Sequence, residues 1–284
     1  MISFVILNYN SKEEVCLAVS SIESKISKDY RIVIVDNYSP DNSGELLSKM
    51  YYQNKKIRVI LNKKNYGFAK GMNIGFRNAL EDKPDFIAIM NPDSQIETND
   101  FDKVIEKIYS EHQFAAFGPD VQVCGTNIHQ NPEKEDWISR KSVENKIKVA
   151  QSKLDHPYYA LFRNRVANII NSNHSIKNND YWKTAKTNVQ LHGSFVVFSK
   201  KFFEWRDYAF DDNTFFYMEL QILFYEMQKS GLKSYYSPEL KVSHDKGSST
   251  RQSYKDFFAR NKFQNENLVK SCRYYLSVLD AYEK

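Results

Sequence analysis

Long apolar runs are missing from this chain of 284 residues. Its densest apolar stretches, such as Phe86 to Met90, have the length of a strand, whereas a membrane-spanning helix needs about 20 apolar residues. The mean hydropathy of -0.60 agrees. Cysteine is scarce: Cys16, Cys124 and Cys272 are odd in number and far apart, and none stands in a CxxC or His/Cys ligand spacing. That excludes a disulfide framework and reads as reduced, buried thiols in the cytoplasm. Met1 leads straight into a strand pattern without a basic n-region, so no signal peptide is expected. There is no Lys/Arg block and no finger motif, which argues against nucleic acid as a partner. The net charge of +5 suits phosphate-bearing ligands or a membrane surface, and equally a solvated surface of mixed charge. Internal repeats are absent.

What is present begins with 42% hydrophobic residues, enough for a core of one large α/β domain or two small ones. The first ninety residues alternate strand and helix patterns. Ile2 to Leu7, Arg31 to Val35, Ile57 to Leu61 and Phe86 to Met90 read as strands. Between them, helices are expected from Ser11, over Asp41 to Met50, and over Ala69 to Leu80. Ser11 with Glu14 three residues on has the form of a capping box, and Val15, Val19 and Ile22 share one helix face. Continuous Val/Ile runs alternating with helices imply a mostly parallel sheet covered on both faces. Such sheets bind ligands beyond the carboxyl ends of their strands. Polar residues gather there: Asn8 and Asn10, Asp36 and Asn37, Asn62 and Asn65, Asn91 and Asp93.

Further on, Thr98 to Ser110 reads as a helix and Phe114 to Phe117 as a strand. From about Asn127 to Asn188 the chain is charged, Asn-rich and helical in parts, as an insertion with satellite aromatic residues Trp137, Tyr158, Tyr159 and Trp182. A strand returns at Gln190 to Phe198. A helix runs from about Met218 to Lys229 and stops at Gly231. Tyr235-Tyr236 and Leu240 to His244 read as two short strands. From Tyr254 a helical tail mixes aromatic and basic residues. It suits contact with a membrane surface or another subunit, and equally a helix packed back on the domain.

Several residues invite a chemical role, each beside a plainer one. Asp36 can accept from a base N–H or a ribose hydroxyl, or cap a turn. Asn65 to Gly75 lacks the GxGxxG spacing of a dinucleotide loop. Gly71 and Gly75 fall on one helix face, where they permit close approach of a backbone, a ligand or the sheet, and Asn73 between them can face a sugar or base. Asp93, in Asn91-Pro92-Asp93-Ser94, is placed to bind a divalent cation or to cap a turn. Mg²⁺ typically takes one or two carboxylates plus substrate phosphate oxygens, and charge on a diphosphate leaving group is what such an ion stabilises.

Taken in order, these segments resemble the family 2 glycosyltransferases, and most closely the branch that includes bacterial rhamnosyltransferases. The resemblance runs from Ile2 to about Asn261 and is weakest between Asn127 and Asn188. Asn8 to Asn10, Val35 to Asp41, Asn65 to Asn73, and Asn91 to Asp93 in the DxD position carry it. Leu191 to Phe198, Phe210-Asp211, and Phe215-Phe216-Tyr217-Met218-Glu219 are similar to the family's second half. There Leu220 stands where the family has an aspartate.

The resemblance implies a GT-A fold with a helical insertion and a C-terminal helical tail. Residues 1–95 would form the nucleotide-sugar half, 96–250 the acceptor half with its insertion near 127–188, and 251–284 the tail. It also implies inverting, metal-assisted transfer by a hexosyl- or rhamnosyltransferase. The sugar would pass from a UDP- or dTDP-sugar to a hydroxyl of a bacterial surface glycan: capsule, O-antigen or cell-wall polysaccharide. Asn8, Asn10, Asp36, Asn65, Gly67, Asn73, Asn91 and Asp93 would bind the donor. Asp93 and His244 would hold Mg²⁺ or Mn²⁺, with Ser248 and Ser249 completing the His244 element. Glu219 would be the general base, with Asp211 or Asp212 as alternatives. His192 reads as structural, and Arg260-Asn261 as a contact for an anionic acceptor. The implied setting is the cytoplasm, peripheral at the inner face of the plasma membrane, with a lipid-linked glycan acceptor and a homo-oligomer as further expectations. Two other readings stand beside it: a non-catalytic glycan- or nucleotide-sugar-binding partner, favoured by Leu220, and a nucleotidyltransferase. The second is disfavoured because Asn8-Tyr9-Asn10-Ser11 is not a Gly-rich basic loop.

Overall fold

The computed structural model describes residues 1–133, 139–158, 161, 180–245 and 256–283. The expectations for Trp137, Tyr159, Ser248 and Ser249 lie outside them. The chain begins as the alternation demands. Strand β1 (Ile2–Asn8), helix α1 (Lys12–Lys25), β2 (Tyr30–Asp36), α2 (Ser43–Tyr51), β3 (Ile57–Leu61), α3 (Phe68–Leu80) and β4 (Phe86–Met90) follow one another. Side chains alternate across β1. Phe4 and Ile6 join Val15, Val19 and Ile22 of α1 in one apolar cluster, while Val5 and Leu7 join Met72 and Phe76 of α3 in another. Helix α3 lies tight on the sheet. A Cβ at Gly75 would meet Val5 Cγ1 at 2.4 Å, and one at Gly71 would meet Leu7 Cδ1 at 2.7 Å. Both glycines therefore serve close packing against the sheet.

Next come β5 (Ser94–Ile96), α4 (Phe101–His112), β6 (Ala116–Val123), α5 (Arg140–Asp155), β7 (Lys186–Thr187), β8 (Phe195–Ser199), α6 (Lys200–Phe203), α7 (Glu219–Lys229), β9 (Ser234–His244) and α8 (Phe257–Glu283). The sheet order is β3-β2-β1-β4-β8-β6-β9-β5, with β7 also on β9. Strands β3, β2, β1 and β4 are parallel; β8 runs antiparallel to β4 and β6, and β6 runs parallel to β9.

The expected elements are present, with differences that include the added β7 and α6. Ser11 precedes α1 without a side-chain cap bond, because its hydroxyl donates to Tyr9 O at 3.1 Å. Strand β5 is new; its three residues gain strand geometry only by pairing with β9. The two short strands near the end are one, β9, whose register on β6 shifts between Pro119 and Asp120. Residues 190–194 precede β8 as a loop tied by a Glu133–Gln190 bridge. The tail helix α8 is packed back: Cys272, Tyr275 and Leu279 cluster with Val143 of α5 and with Met218 and Ile222 at α7. Among the described residues, no helix is long and apolar enough to cross a membrane.

Candidate functional site

The sheet order brings the carboxyl ends of β3, β2, β1 and β4 side by side, and with them the Asn/Asp groups the sequence singles out. Asn8, level with Asp36 across the β1–β2 register, donates through Nδ2 to Asp36 Oδ1 at 2.7 Å and to Ser43 Oγ at 2.8 Å. Its Oδ1 accepts from Ser11 N at 3.1 Å. Asp36 also takes Ser39 Oγ on Oδ1 at 2.6 Å and Ser39 N on Oδ2 at 3.1 Å. Asn37 stitches the next two ends together, accepting from Asn62 Nδ2 and Tyr66 N, each at 3.1 Å, and donating to Asn65 Oδ1 and Gly67 O, each at 3.0 Å. Asn65 Oδ1 in turn accepts from Gly67 N at 2.8 Å. Buried amides and carboxylates satisfied in this way hold loops in one shape.

This geometry corrects two expectations and narrows others. Asn8 and Asn73 are fully buried, so neither offers a side chain to a donor. Asn73 is a clamp instead. Its Oδ1 accepts from Ala209 N and Phe210 N, both at 3.0 Å, and its Nδ2 donates to Phe210 O at 2.6 Å and to Asp212 Oδ1. It thereby fastens the segment before α7 onto α3. Asp36, buried and bonded on both oxygens, keeps little capacity for a ligand. Gly67 has a positive φ of 82°, and a Cβ there would come within 2.4 Å of Phe215 O. The peptide of Phe68 donates to that same oxygen at 2.8 Å. Gly67 therefore permits the two halves of the chain to touch. Asn10 differs from its neighbours: it sits at φ 55°, and its Oδ1 is buried with no hydrogen-bond partner among the described residues.

At the end of β4, the peptide of Asn91 donates to Ser194 O at 2.8 Å, which ties the Asn-Pro-Asp turn to the start of β8. Asp93 Oδ1 stands 3.2 Å from Nε2 of His244, the last residue of β9, and both side chains are buried. The antiparallel β5–β9 pairing makes this meeting, with Ser94 opposite His244. His244 Nδ1 lies 2.7 Å from Gln130 Oε1, and Gln130 Nε2 lies 3.2 Å from His192 Nε2. Sequence reasoning missed Gln130, which stands in an aperiodic stretch with no local signal. Nearby, His129 stacks on Trp182 with ring centroids 3.5 Å apart and bonds Asp120 Oδ1 at 2.7 Å.

A carboxylate and an imidazole nitrogen this close fit a divalent cation of the Mg²⁺/Mn²⁺ type. No group of three or more His, Cys, Asp or Glu side chains able to hold a metal occurs among the described residues. Among the described residues, Asp93 and His244 are the two that would serve as ligands, beside phosphate oxygens and water.

Glu219 opens α7 after two residues of positive φ, Tyr217 and Met218. Its side chain is buried, and Oε1 has no hydrogen-bond partner among the described residues. Desolvation pushes its pKa up to about 7, outweighing bonds from the peptides of Glu219 and Tyr217 and from Thr214, which lower it. The alternatives are engaged. Asp211 accepts from Asn213 N at 2.8 Å and from Tyr274 Oη at 2.8 Å, and Asp212 from Asn73. Leu220 packs in the apolar cluster, and a Cβ at Gly193 would lie 2.7 Å from its Cδ2.

The sequence profile of the family described as "Glycosyl transferase family 2" matches residues 3–170, more than half of the chain. The chain belongs to this family. The glycosyltransferase GlyG of Streptococcus pneumoniae serotype 4 is 29% identical over 113 residues, covering 40% of this chain and 35% of that protein. The low-salt glycan biosynthesis hexosyltransferase Agl10 of Haloferax volcanii is 28% identical over 144 residues, covering 49% and 43%. The chain thus spans less than half the length of either relative. Among solved structures, GalNAc-T7 with UDP, GalNAc and Mn²⁺ aligns with a TM-score of 0.57 and 16% identity, over 86% of this chain and 43% of that one. S. aureus TarS 1-349 aligns with a TM-score of 0.54 and 13% identity, over 96% and 71%. At such identities the likeness shows the fold, which is GT-A. Glu219 and His244 both lie beyond the residues the family profile matches.

Proposed function

We propose that this family 2 member is an inverting glycosyltransferase that moves a sugar from a UDP- or dTDP-sugar to a hydroxyl of a bacterial surface glycan. The observation that carries the reading is the pairing of Asp93 with His244 at the ends of β4 and β9. It provides a buried, two-ligand seat where a parallel sheet offers its ligand cleft. Asp93 and His244 would hold Mg²⁺ or Mn²⁺, whose charge stabilises the departing diphosphate. Asn10, with its unpartnered carbonyl oxygen, is the strand-end residue left to accept a base N–H or a ribose hydroxyl. The mutual bonding of Asn8, Asp36, Asn37 and Asn65 keeps that cleft in shape, and Asn91 aims the turn that carries Asp93.

Glu219 would act as general base. A carboxylate with a pKa near 7 is ionised often enough to accept the hydroxyl proton and basic enough to take it. The acceptor oxygen bonds to the anomeric carbon as the carbon–oxygen bond to the diphosphate breaks. That electron pair leaves on the diphosphate, the hydroxyl proton goes to Glu219, and one displacement inverts the anomeric centre. The names of the relatives and the UDP, GalNAc and Mn²⁺ of the fold neighbour support a sugar-nucleotide donor. The rhamnosyl branch, a lipid-linked acceptor, self-association and a peripheral place at the inner face of the plasma membrane belong to the same proposal. The half-exposed Phe258 at the start of α8 and the exposed Tyr158, which meets it edge to face, are the surface suited to such contact.

A donor panel tests the reading. Purified protein with Mg²⁺ or Mn²⁺ is expected to hydrolyse or transfer from at least one nucleotide sugar, and Asp93→Ala to weaken metal-dependent donor binding. A panel without any donor binding removes the proposal. Leu220, where the family resemblance places an acid, favours a second reading, a binding partner without catalysis. Donor binding without turnover in every acceptor mixture would select it.

A further inference from the structure

The Asp93–His244 pair is the end of a longer chain of side chains. Gln130 bridges the two histidines, whose ring centroids are 5.8 Å apart. Beyond it, His192 Nδ1 lies 2.9 Å from Ser194 Oγ and 3.2 Å from Ser194 N. The assembly is anchored: the peptide of His192 donates to Asn131 Oδ1 at 2.7 Å, and Asn131 Nδ2 donates to Pro119 O of β6 at 2.8 Å.

A neutral imidazole carries one proton, and an amide oxygen only accepts. With Gln130 Oε1 facing it, Nδ1 of His244 holds that proton. Nε2 then turns a bare lone pair toward Asp93 Oδ1 at 3.2 Å. Two buried electron-rich atoms so placed repel each other, and a cation between them relieves this. Turning the amide by half a rotation gives the other arrangement. Its NH2 then donates to His244 Nδ1, and Nε2–H donates to Asp93. Gln130 Oε1 accepts from His192 Nε2–H, and both Ser194 donors meet His192 Nδ1. Each of these contacts then pairs a donor with an acceptor, and Nε2 of His244 has no lone pair left for a cation. The amide of Gln130 therefore separates a closed pair from a cation-ready one.

We propose that Gln130 is a positioning residue for the divalent cation: by accepting the Nδ1 proton of His244 it presents Nε2, beside Asp93, as a ligand. The Ser194 peptide, donating to His192 Nδ1, favours the closed arrangement until a cation draws the amide of Gln130 into the other. The inference rests on the metal-assisted reading above. Outer partners of this kind typically change metal affinity by about 10- to 100-fold.

The test is Mn²⁺ affinity with and without UDP, read by electron paramagnetic resonance on the full chain. Gln130→Leu is expected to weaken Mn²⁺ binding by about 10- to 100-fold. Gln130→Glu, which can only accept, is expected to bind at least as tightly as the unaltered chain. A purely structural role lowers the melting temperature of both variants and leaves the Mn²⁺ affinity of the folded protein unchanged; that outcome overturns the inference. Imidazole ¹⁵N spectra of the unaltered chain with Mg²⁺ make the test independent of variant folding. His244 protonated on Nδ1 supports the inference, and protonation on Nε2 overturns it. If the unaltered chain binds neither ion, the metal reading itself falls. If it binds and Gln130→Leu binds equally, only this inference falls.

Discussion

At the ends of β1, β2 and β3, the buried polar groups bond to one another: Asn8 to Asp36, Asp36 to Ser39, Asn37 to Asn62, Asn65 and Gly67. At the start of α7, Glu219 is just as buried, yet Oε1 has no partner among the described residues. Polar groups that satisfy one another stabilise a shape and are ready before any ligand arrives. A buried carboxyl left short of donors weighs on stability, and that burden is typical of groups positioned for chemistry. On the proposed reading, the donor side of the cleft is thus mostly scaffold and the reactive character lies on the acceptor side.

The comparison breaks most sharply at Glu219. Glu219→Gln is expected to lower transfer by about 10²- to 10⁴-fold while donor affinity stays unchanged; full turnover in this variant, in a steady-state assay, would remove the residue as base. For the unaltered enzyme, kcat should rise with pH through about 7, as the carboxyl ionises. The same group acts on stability with a definite sign. The folded pKa is raised from 4.5 to about 7, so the folded chain keeps a proton that the unfolded chain loses in that window. Stability from this group is full below pH 4.5 and is lost as pH rises through 7. Glu219→Gln should therefore be the more stable protein above pH 7, by roughly 3 kcal/mol in urea unfolding.

On the scaffold side, the expected losses are in stability. Asn73→Ala strands the peptide groups of Ala209 and Phe210, and about 2–4 kcal/mol should disappear. Hydrogen exchange should accelerate over residues 208–218 before anywhere else. Gly67→Ala forces a Cβ onto Phe215 O at positive φ and should cost about 1–3 kcal/mol by chemical denaturation. A loss confined to the first half would mean the two halves are not coupled there. Smallest of all, Arg58→Ala removes a half-exposed pair with Asp82 and should change the unfolding free energy by under about 1 kcal/mol.

The legible part of the fold was its first ninety residues, because Val/Ile runs and helix faces are local patterns. Ile57 to Leu61 and Phe86 to Met90 have the expected limits to the residue. Strand β5 was not legible, since Ser94–Ile96 is a strand only beside β9. Within the site, Asp93, His244 and Glu219 were visible as acids or a histidine at element ends. The roles of Asn8 and Asn73 were not, because an asparagine at a strand end or on a helix reads the same whether it meets a ligand or a peptide group. Gln130 gave no signal at all; its place follows from a loop folding back along β6 through its bonds to Val121 and His244.

By itself, then, the sequence determined the parallel β1–β4 half, the helices on its two faces and the polar strand ends, through periodicities that span a few residues. The tertiary structure decided which of those polar groups remain for a ligand. Burial and hydrogen-bond partners depend on segments more than a hundred residues apart: α3 against residues 209–212, and β5 against β9. No local pattern encodes such a meeting, so the contact of Asp93 with His244 and the clamp of Asn73 appear only when the chain is folded.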